Sequence, residues 1–317
     1  MIISLILIVV GFSALIFGAN WLVDGASALA KKHRISDLAI GLTIVAFGTS
    51  APELVVNSVA SVDGLSDIIL GNVIGSNNFN LFFILGLVGL IYPITVQSST
   101  AWREIPISLI VTVILFALAN NFFLNQTYEI SRLDGVILFS LFILFLYYVF
   151  KQMKTEENLV ISYKQKSNTK ICGLMSAGLA GLIIGGKLVV DNSVDVATNL
   201  GISQKIVGLT IIAAGTSLPE LVTSIVAAIK KNSDIAIGNV IGSNIFNILL
   251  ILSFSSFIRP INFNQNFNQD IAILFGGTVF LIIAMITGKR KKLDRWEAGI
   301  LLGFYLIYTV YLVSKEI

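Results

Sequence analysis

Apolar runs of about twenty residues follow one another along the chain, at 3–28, 39–60, 66–90, 104–120, 133–150, 171–190, 205–228, 234–257, 270–287 and 296–314. Each is long enough to cross a hydrocarbon core of about 30 Å as a helix rising about 1.5 Å per residue. The pattern predicts ten transmembrane helices in an all-α polytopic membrane protein, with the polar positions gathered into short connections. The one long hydrophilic connection, KQMKTEENLVISYKQKSNTK at 151–170, is too short to fold by itself and reads as a cytoplasmic linker.

Composition agrees and excludes a soluble globular domain: 56% of residues are hydrophobic, 12% are charged and mean hydropathy is +0.89. With the N-terminus outside, sixteen of the twenty-one Lys and Arg residues fall in loops on the cytoplasmic side, as basic loops do. The net charge of +3 therefore reports topology, and nucleic acid is not an expected partner. The opening MIISLILIVVGF has no basic leader and no small-residue cleavage site, so it reads as a retained span and not as a signal peptide. Cys172 is the single cysteine and His33 the single histidine; no internal disulfide and no soft-metal cluster can form. These features place the protein in the plasma membrane as a multi-pass chain, with the lipid bilayer as its surroundings, no cofactor and no soluble regulatory domain.

The apolar pattern is also duplicated. GLTIVAFGTSAPELV at 41–55 and GLTIIAAGTSLPELV at 208–222 agree at twelve of fifteen positions, and GNVIGSNNFN at 71–80 differs from GNVIGSNIFN at 238–247 only at Asn78 and Ile245. The offset is 167 from Ser36/Ser203 through Pro93/Pro260, and it shortens to 163 where Arg295 and Glu297 echo Arg132 and Asp134. Residues 1–150 form a first five-helix repeat and 171–317 a second, with motif regions at 41–80 and 208–247. An odd number of spans per repeat makes the second enter from the opposite side, so the repeats are inverted, as in many secondary transporters. Asp24 and Asp191 also correspond, but near the membrane faces, where they read as polar anchors.

Glu53 and Glu220 are the only carboxylates in the middle of any span, and a charge there costs roughly 2.5–3.5 kcal/mol on insertion scales. Thr49 and Ser50 share a helix face with Glu53, as Thr216 and Ser217 do with Glu220. In the following helices Asn72, Ser76 and Asn80, and Asn239, Ser243 and Asn247, form polar stripes four residues apart. The stripes face the Glu helices if each hairpin packs closely, as Gly71/Gly75 and Gly238/Gly242 would permit. Pro52 and Pro219 release the carbonyls of Gly48, Thr49, Gly215 and Thr216 from the helix ladder, and such carbonyls can bind cations where they line a cavity. A single Ser or Thr usually bonds back to its own helix, and a lone GxxxG is packing; the duplicated constellation is what marks a site. Carboxylate, hydroxyl, amide and backbone oxygens suit a hard cation such as Ca2+, or Na+ in similar positions. Two carboxylates balance one divalent ion, and its departure leaves charge that monovalent ions or protons must refill, so two fluxes are coupled. No nucleophile–base pair points to an enzyme.

GTSAPE with GSNNFN, and GTSLPE with GSNIFN, closely resemble the alpha-1 and alpha-2 repeats of the sodium/calcium exchanger branch of the cation/calcium exchanger superfamily, short prokaryotic type. The resemblance implies central carboxylate ligands at Glu53 and Glu220 and flanking ligands at Thr49, Ser50, Ser76, Thr216, Ser217 and Ser243. It further implies backbone ligands at Ala46 and Ala213 and mid-site polar residues at Asn80 and Asn247. Potassium-dependent relatives carry Asp at the position of Asn247; with Asn at both positions, the resemblance implies no potassium co-transport. It also implies that spans one and six are the sliding element. The expected function is a Ca2+/Na+ antiporter working by alternating access. A Ca2+/H+ antiporter at the same carboxylates and a passive cation channel are the alternatives.

Overall fold

Backbone N–H and C=O groups in hydrocarbon have no water to bond, and a helix satisfies them within one segment. The computed structural model describes residues 2–33, 35–95, 100–120, 128–153, 167–200, 213–287 and 291–316. The apolar runs form α1 (Ile2–His33), α2 (Asp37–Thr49), α3 (Ala51–Asp63), α4 (Ser66–Ile91), α5 (Trp102–Ala119) and α6 (Arg132–Met153). In the second half they form α7 (Asn168–Asn199), α8 (Leu218–Ile229), α9 (Ser233–Ile258), α10 (Phe267–Ile286) and α11 (Arg295–Glu316). One helical turn, Ala213–Gly215, precedes α8. Most of the linker (154–166) and the stretch 201–212, which opens the expected seventh span and the second motif, lie outside the described residues.

Among the described residues, seven helices are individually long and apolar enough to cross a membrane, or eight with the bent pair α2–α3 taken as one span. The fold is that of an all-helical polytopic membrane protein. Its outer surface is correspondingly apolar: Ile2, Ile3, Ile6 and Val9 on α1 are 57% to 73% exposed. The centre is α9, buried throughout its apolar length, with α4 buried over most of its own.

Contacts repeat at the offsets of the duplication. Strands β1 (Ile94–Thr95), β2 (Glu129–Ile130), β3 (Ile261–Asn262) and β4 (Lys292–Leu293) form two short antiparallel ladders, Ile94 opposite Leu293 and Ile130 opposite Ile261. The ladders are images of each other, since 94 and 261 differ by 167 and 130 and 293 by 163. The α3–α4 and α8–α9 turns close on left-handed residues at equivalent positions, Gly64 (φ 74°) and Lys231 (φ 59°). Asp134 accepts from the Ser131 N–H at 2.8 Å and Glu297 from the Asp294 N–H at 2.9 Å, which caps α6 and α11 alike.

Helices α1 and α7 cross at glycines. A Cβ on Gly11 would lie 2.9 Å from the Gly185 carbonyl, one on Gly18 2.8 Å from the Gly178 carbonyl, and one on Gly25 2.6 Å from Met175. The partners descend in number as α1 ascends, so the two helices run antiparallel. The expected use of Gly238 and Gly242 is corrected. They bring α9 against α2, where Cβ atoms would meet the Leu38 and Leu42 carbonyls at 2.9 and 2.7 Å, and not against their own hairpin partner α8. Gly71 has only Phe267 within 4 Å and Gly75 nothing, among the described residues.

Gly178→Val should force α1 and α7 apart, because its Cβ would sit 2.6 Å from the Leu22 nitrogen. Overpacking of this kind costs about 1–3 kcal/mol, and the variant should unfold at lower temperature in detergent. Gly173→Ala on the same helix meets nothing within 4 Å and should gain about 0.5–1 kcal/mol from reduced chain entropy.

Candidate cation site

Helices α2 and α3 are separated at Ser50 (φ −82°, ψ 8°), and the equivalent Ser217 (φ −89°, ψ 9°) precedes α8. Both lie in the sparsely populated bridge region that functional residues often occupy. Pro52 and Pro219 are second residues of α3 and α8, where a missing N–H is harmless. The proline therefore starts a new helix at mid-chain, and α2 meets α3 at 47°. The Ala46 carbonyl accepts the Ser50 N–H at 3.0 Å and the Thr49 hydroxyl at 3.3 Å. Ala213 opens the helical turn before α8.

These breaks bring the two halves into one polar cluster. The Ser50 hydroxyl donates to Glu220 Oε1 at 2.9 Å, and the Ser217 hydroxyl to Glu53 Oε1 at 3.2 Å. Each carboxylate is thus held by the break of the other half. Ser243 also donates to Glu220 Oε1, at 3.4 Å, within its own hairpin. Both Glu residues are 1% exposed, and the second oxygen of each, Oε2, has no hydrogen-bond partner. Neither has a basic partner among the described residues. The Glu carbonyls are fixed from behind: Asn57 Nδ2 donates to that of Glu53 at 2.7 Å and Asn239 Nδ2 to that of Glu220 at 3.3 Å.

The polar stripes lie beside the carboxylates as expected. Thr49 donates to Asn239 Oδ1 at 3.0 Å; in the mirrored position Thr216 donates to Asn72 Oδ1 at 3.5 Å, which also accepts from Ser76 at 3.2 Å. Asn80 and Asn247 sit on π-helical turns, Phe79–Ile84 and Asn247–Ile251, where their carbonyls accept the N–H five residues on, from Leu85 and Leu252. Such single π turns are frequent at functional sites. Both side chains are 1% exposed, and Oδ1 of each is unpartnered. Sequence reasoning had not singled out Asn77 and Asn244. Asn77 Nδ2 donates to the Asn244 carbonyl at 3.1 Å and Asn244 Nδ2 to the Asn77 carbonyl at 3.3 Å, joining α4 to α9 at the centre. Their only sequence signal is membership of GSNNFN and GSNIFN, off the four-residue stripe.

Every sequence-predicted side chain that the structure describes is therefore in or beside one oxygen-rich cluster, buried except for the half-buried Asn72 and Thr216. No group of three or more His, Cys, Asp or Glu residues is present among the described residues, so the donor set is hydroxyl, amide and carboxylate oxygen. That chemistry accepts hard cations.

A polytopic helical protein with an oxygen-lined, acidic centre belongs to the class of membrane cation transporters. The family model for the sodium/calcium exchanger protein matches residues 3–151 and 170–314, and the chain belongs to that family. It is 31% identical to the sodium/calcium exchanger MaX1 of Methanosarcina acetivorans, over 98% of both chains. It is 33% identical to the inner membrane protein YrbG of Escherichia coli, over 98% of this chain and 97% of that one. Among solved structures, the sodium-calcium exchanger NCX_Mj soaked without Na+ and Ca2+ superposes with a TM-score of 0.84 at 31% identity, covering 98% of this chain and 99% of its own. The family is one of exchangers, not enzymes.

Asn239 is fully buried and serves Thr49, Glu220 and Ser224, whereas Asn72 is half-buried with longer contacts. Asn239→Leu should therefore lower the unfolding free energy by about 1–3 kcal/mol for each group left unpaired. Asn72→Leu should cost clearly less. Equal losses in thermal or denaturant unfolding would contradict the asymmetry.

Proposed function

We propose that this chain is an antiporter that exchanges Ca2+ for Na+ across the plasma membrane by alternating access, with Glu53 and Glu220 as central ligands. The observation that carries the reading is that the buried oxygens without a hydrogen-bond partner include Glu53 Oε2, Glu220 Oε2, Asn80 Oδ1 and Asn247 Oδ1, two pairs related by the 167-residue offset. Buried acceptors without donors are costly, and a cation supplies the missing charge. Thr49, Ser50, Ser76, Thr216, Ser217 and Ser243, with the Ala46 and Ala213 carbonyls, complete the proposed shell. Two carboxylates neutralise one divalent ion; when it leaves, monovalent cations restore the balance, and the two fluxes are thereby linked. The amides at 80 and 247 add no third carboxylate, which favours potassium independence.

The proposed topology is ten spans in two inverted five-helix repeats, 1–150 and 171–317, with residues 151–170 as cytoplasmic linker and the N-terminus outside. Two observations support it. The equivalent helices α1 and α7 run antiparallel, as inversion requires. Both ladders, and the contacts Lys230–Asp24, Asn232–Asp37 and Asn120–Asn268, join loops that this topology puts on the same face.

The proposed moving element is the α1–α7 pair. Both its helices rest on α8 and neither packs along α3, although the two helices occupy equivalent places in the duplication and share Leu54/Leu221, Val55/Val222 and Val59/Val226. Val226 on α8 is 8% exposed, and its counterpart Val59 on α3 is 57% exposed. The pair thus occupies one of two equivalent seats.

In proteoliposomes, an imposed Na+ gradient should drive Ca2+ uptake, and Glu53→Gln or Glu220→Gln should each reduce it to background. Uptake driven by a pH gradient without Na+ would identify protons as the counter-ion instead, and flux that only dissipates a gradient would mark a channel. Ca2+ at about 100 times its Kd should stabilise the wild type by about 2.7 kcal/mol, an effect that the Glu variants lose.

Lys230 Nζ lies 2.8 Å from Asp24 at the end of the occupied seat. In a Cys172→Ser background, a reducible bifunctional cross-linker joining Asp24→Cys to Lys230→Cys should hold the pair there and stop exchange, with recovery on reduction. Full exchange by the cross-linked protein would show that the pair does not leave α8.

A further inference from the structure

Asn77 and Asn244 do more than join α4 to α9. An Asn side chain presents an oxygen on one side and an NH2 on the other, and the two ends have nearly the same shape. A site that needs an amide oxygen must therefore fix which end faces in, because the NH2 end repels a cation. Packing alone cannot make that choice; a donor–acceptor partner can.

The choice is made here by a backbone carbonyl. The Asn244 carbonyl can only accept, so Asn77 must turn its Nδ2 toward it, at 3.1 Å. That turns Asn77 Oδ1 toward Asn247, which can respond only with its own Nδ2, at 3.0 Å. The NH2 of Asn247 is thereby used, and its Oδ1 is left as the free end, buried and unpartnered. The mirrored relay begins at the Asn77 carbonyl, which accepts Asn244 Nδ2 at 3.3 Å; Asn244 Oδ1 accepts Asn80 Nδ2 at 3.0 Å, and Asn80 Oδ1 is the free end. Asn77 and Asn244 are themselves buried, at 0% and 2% exposure. All four amides are ordered by acceptor-only groups, with no water needed to decide their sense.

We propose that Asn77 and Asn244 are positioning residues that lock the amides of Asn247 and Asn80 with oxygen facing the cation site. The inference rests on the reading of that site as one for Ca2+ and Na+. It separates two roles within one motif: Asn80 and Asn247 present oxygens, and Asn77 and Asn244 set their polarity from behind. Each relay starts and ends in one half of the chain and passes through an amide of the other, so the two halves orient one another.

Asn77→Ala frees the Asn247 amide to flip. The KM for Ca2+ in Na+-driven uptake should rise about 10-fold, as loss of an outer partner typically does, with the maximal rate little changed. In an Asn247→Asp background there is no amide to orient, since both ends are oxygen, and Asn77 Oδ1 then opposes a carboxylate. Adding Asn77→Ala to that background should leave KM unchanged or lower it. Asn77→Asp, close in shape to the wild type, keeps the acceptor for Asn247 and should bind Ca2+ at least as tightly as the wild type. The mirrored set, Asn244→Ala with and without Asn80→Asp, should behave the same way. An unchanged KM in folded Asn77→Ala, an equal penalty in both backgrounds, or a penalty in Asn77→Asp matching that of Asn77→Ala would each overturn the relay and leave a packing role. Wild-type protein without saturable Ca2+ transport would overturn the reading of the site, and this inference with it.

Discussion

Two carboxylates are buried at the centre of a membrane protein with, among the described residues, no basic side chain beside them, and the surrounding structure is arranged to tolerate this. An isolated ionised carboxylate is expensive in such a medium. Here each receives a hydroxyl from the other half of the chain, so each half helps to hold the Glu of the other. The hydroxyls reach across because Ser50 and Ser217 stand at breaks in the helices, and the breaks are tolerable because they are buried in protein, not exposed to lipid. The π turns at Asn80 and Asn247 serve the same end, re-aiming a side chain within an otherwise regular helix.

The scaffold is divided between rigid and mobile contacts. Helix α9 is bound into α2 by glycines that admit backbone at van der Waals distance, and to α4 by reciprocal amide–carbonyl bonds. Such contacts have one good geometry. The α1–α7 pair is as tightly joined within itself; it packs along α8, with polar bonds at one end from Lys230 to Asp24 and the Asn20 carbonyl and from Asn232 to Ser27. Apolar contacts are non-directional, so in the proposed sliding the bonds to break are those at the Lys230 and Asn232 end. Hydrogen bonds are thus concentrated in the part proposed to hold the cations, and the proposed moving pair is tied to it at the Lys230 and Asn232 end.

Much of this was legible in the sequence. A Glu inside an apolar run has one reading at membrane depth, and its recurrence 167 residues later, with hydroxyls on the same face, ties the two copies to one site before any coordinates exist. What was not legible depended on which surfaces meet. Gly238 and Gly242 are spaced for close packing with any helix, and nothing in their spacing selects α2 over α8. Asn77 and Asn244 lie off the stripe that faces the carboxylates, and their role follows only once each is opposite the backbone of the other. Nor does the sequence show which of two equivalent helices the α1–α7 pair covers, since both carry the same Pro-Glu-Leu-Val start and the same Val-Ala pair at 59–60 and 226–227.

That last ambiguity has an energetic consequence. If the pair can also seat on α3, the balance between the seats rests on positions where the repeats differ, such as Ser58 against Ile225, and on charge. On the occupied seat Asp24 meets Lys230; the residues at the same positions in the mirrored arrangement are Asp191 and Asp63, two like charges. Exposed ion pairs contribute about 0.2–1 kcal/mol, and 1 kcal/mol changes a population by about fivefold. The charge difference therefore favours the α8 seat without fixing the pair there. A bias of that size is small enough for a change in cation occupancy to reverse, which is what a protein needs if its bound ions are to decide when it changes face.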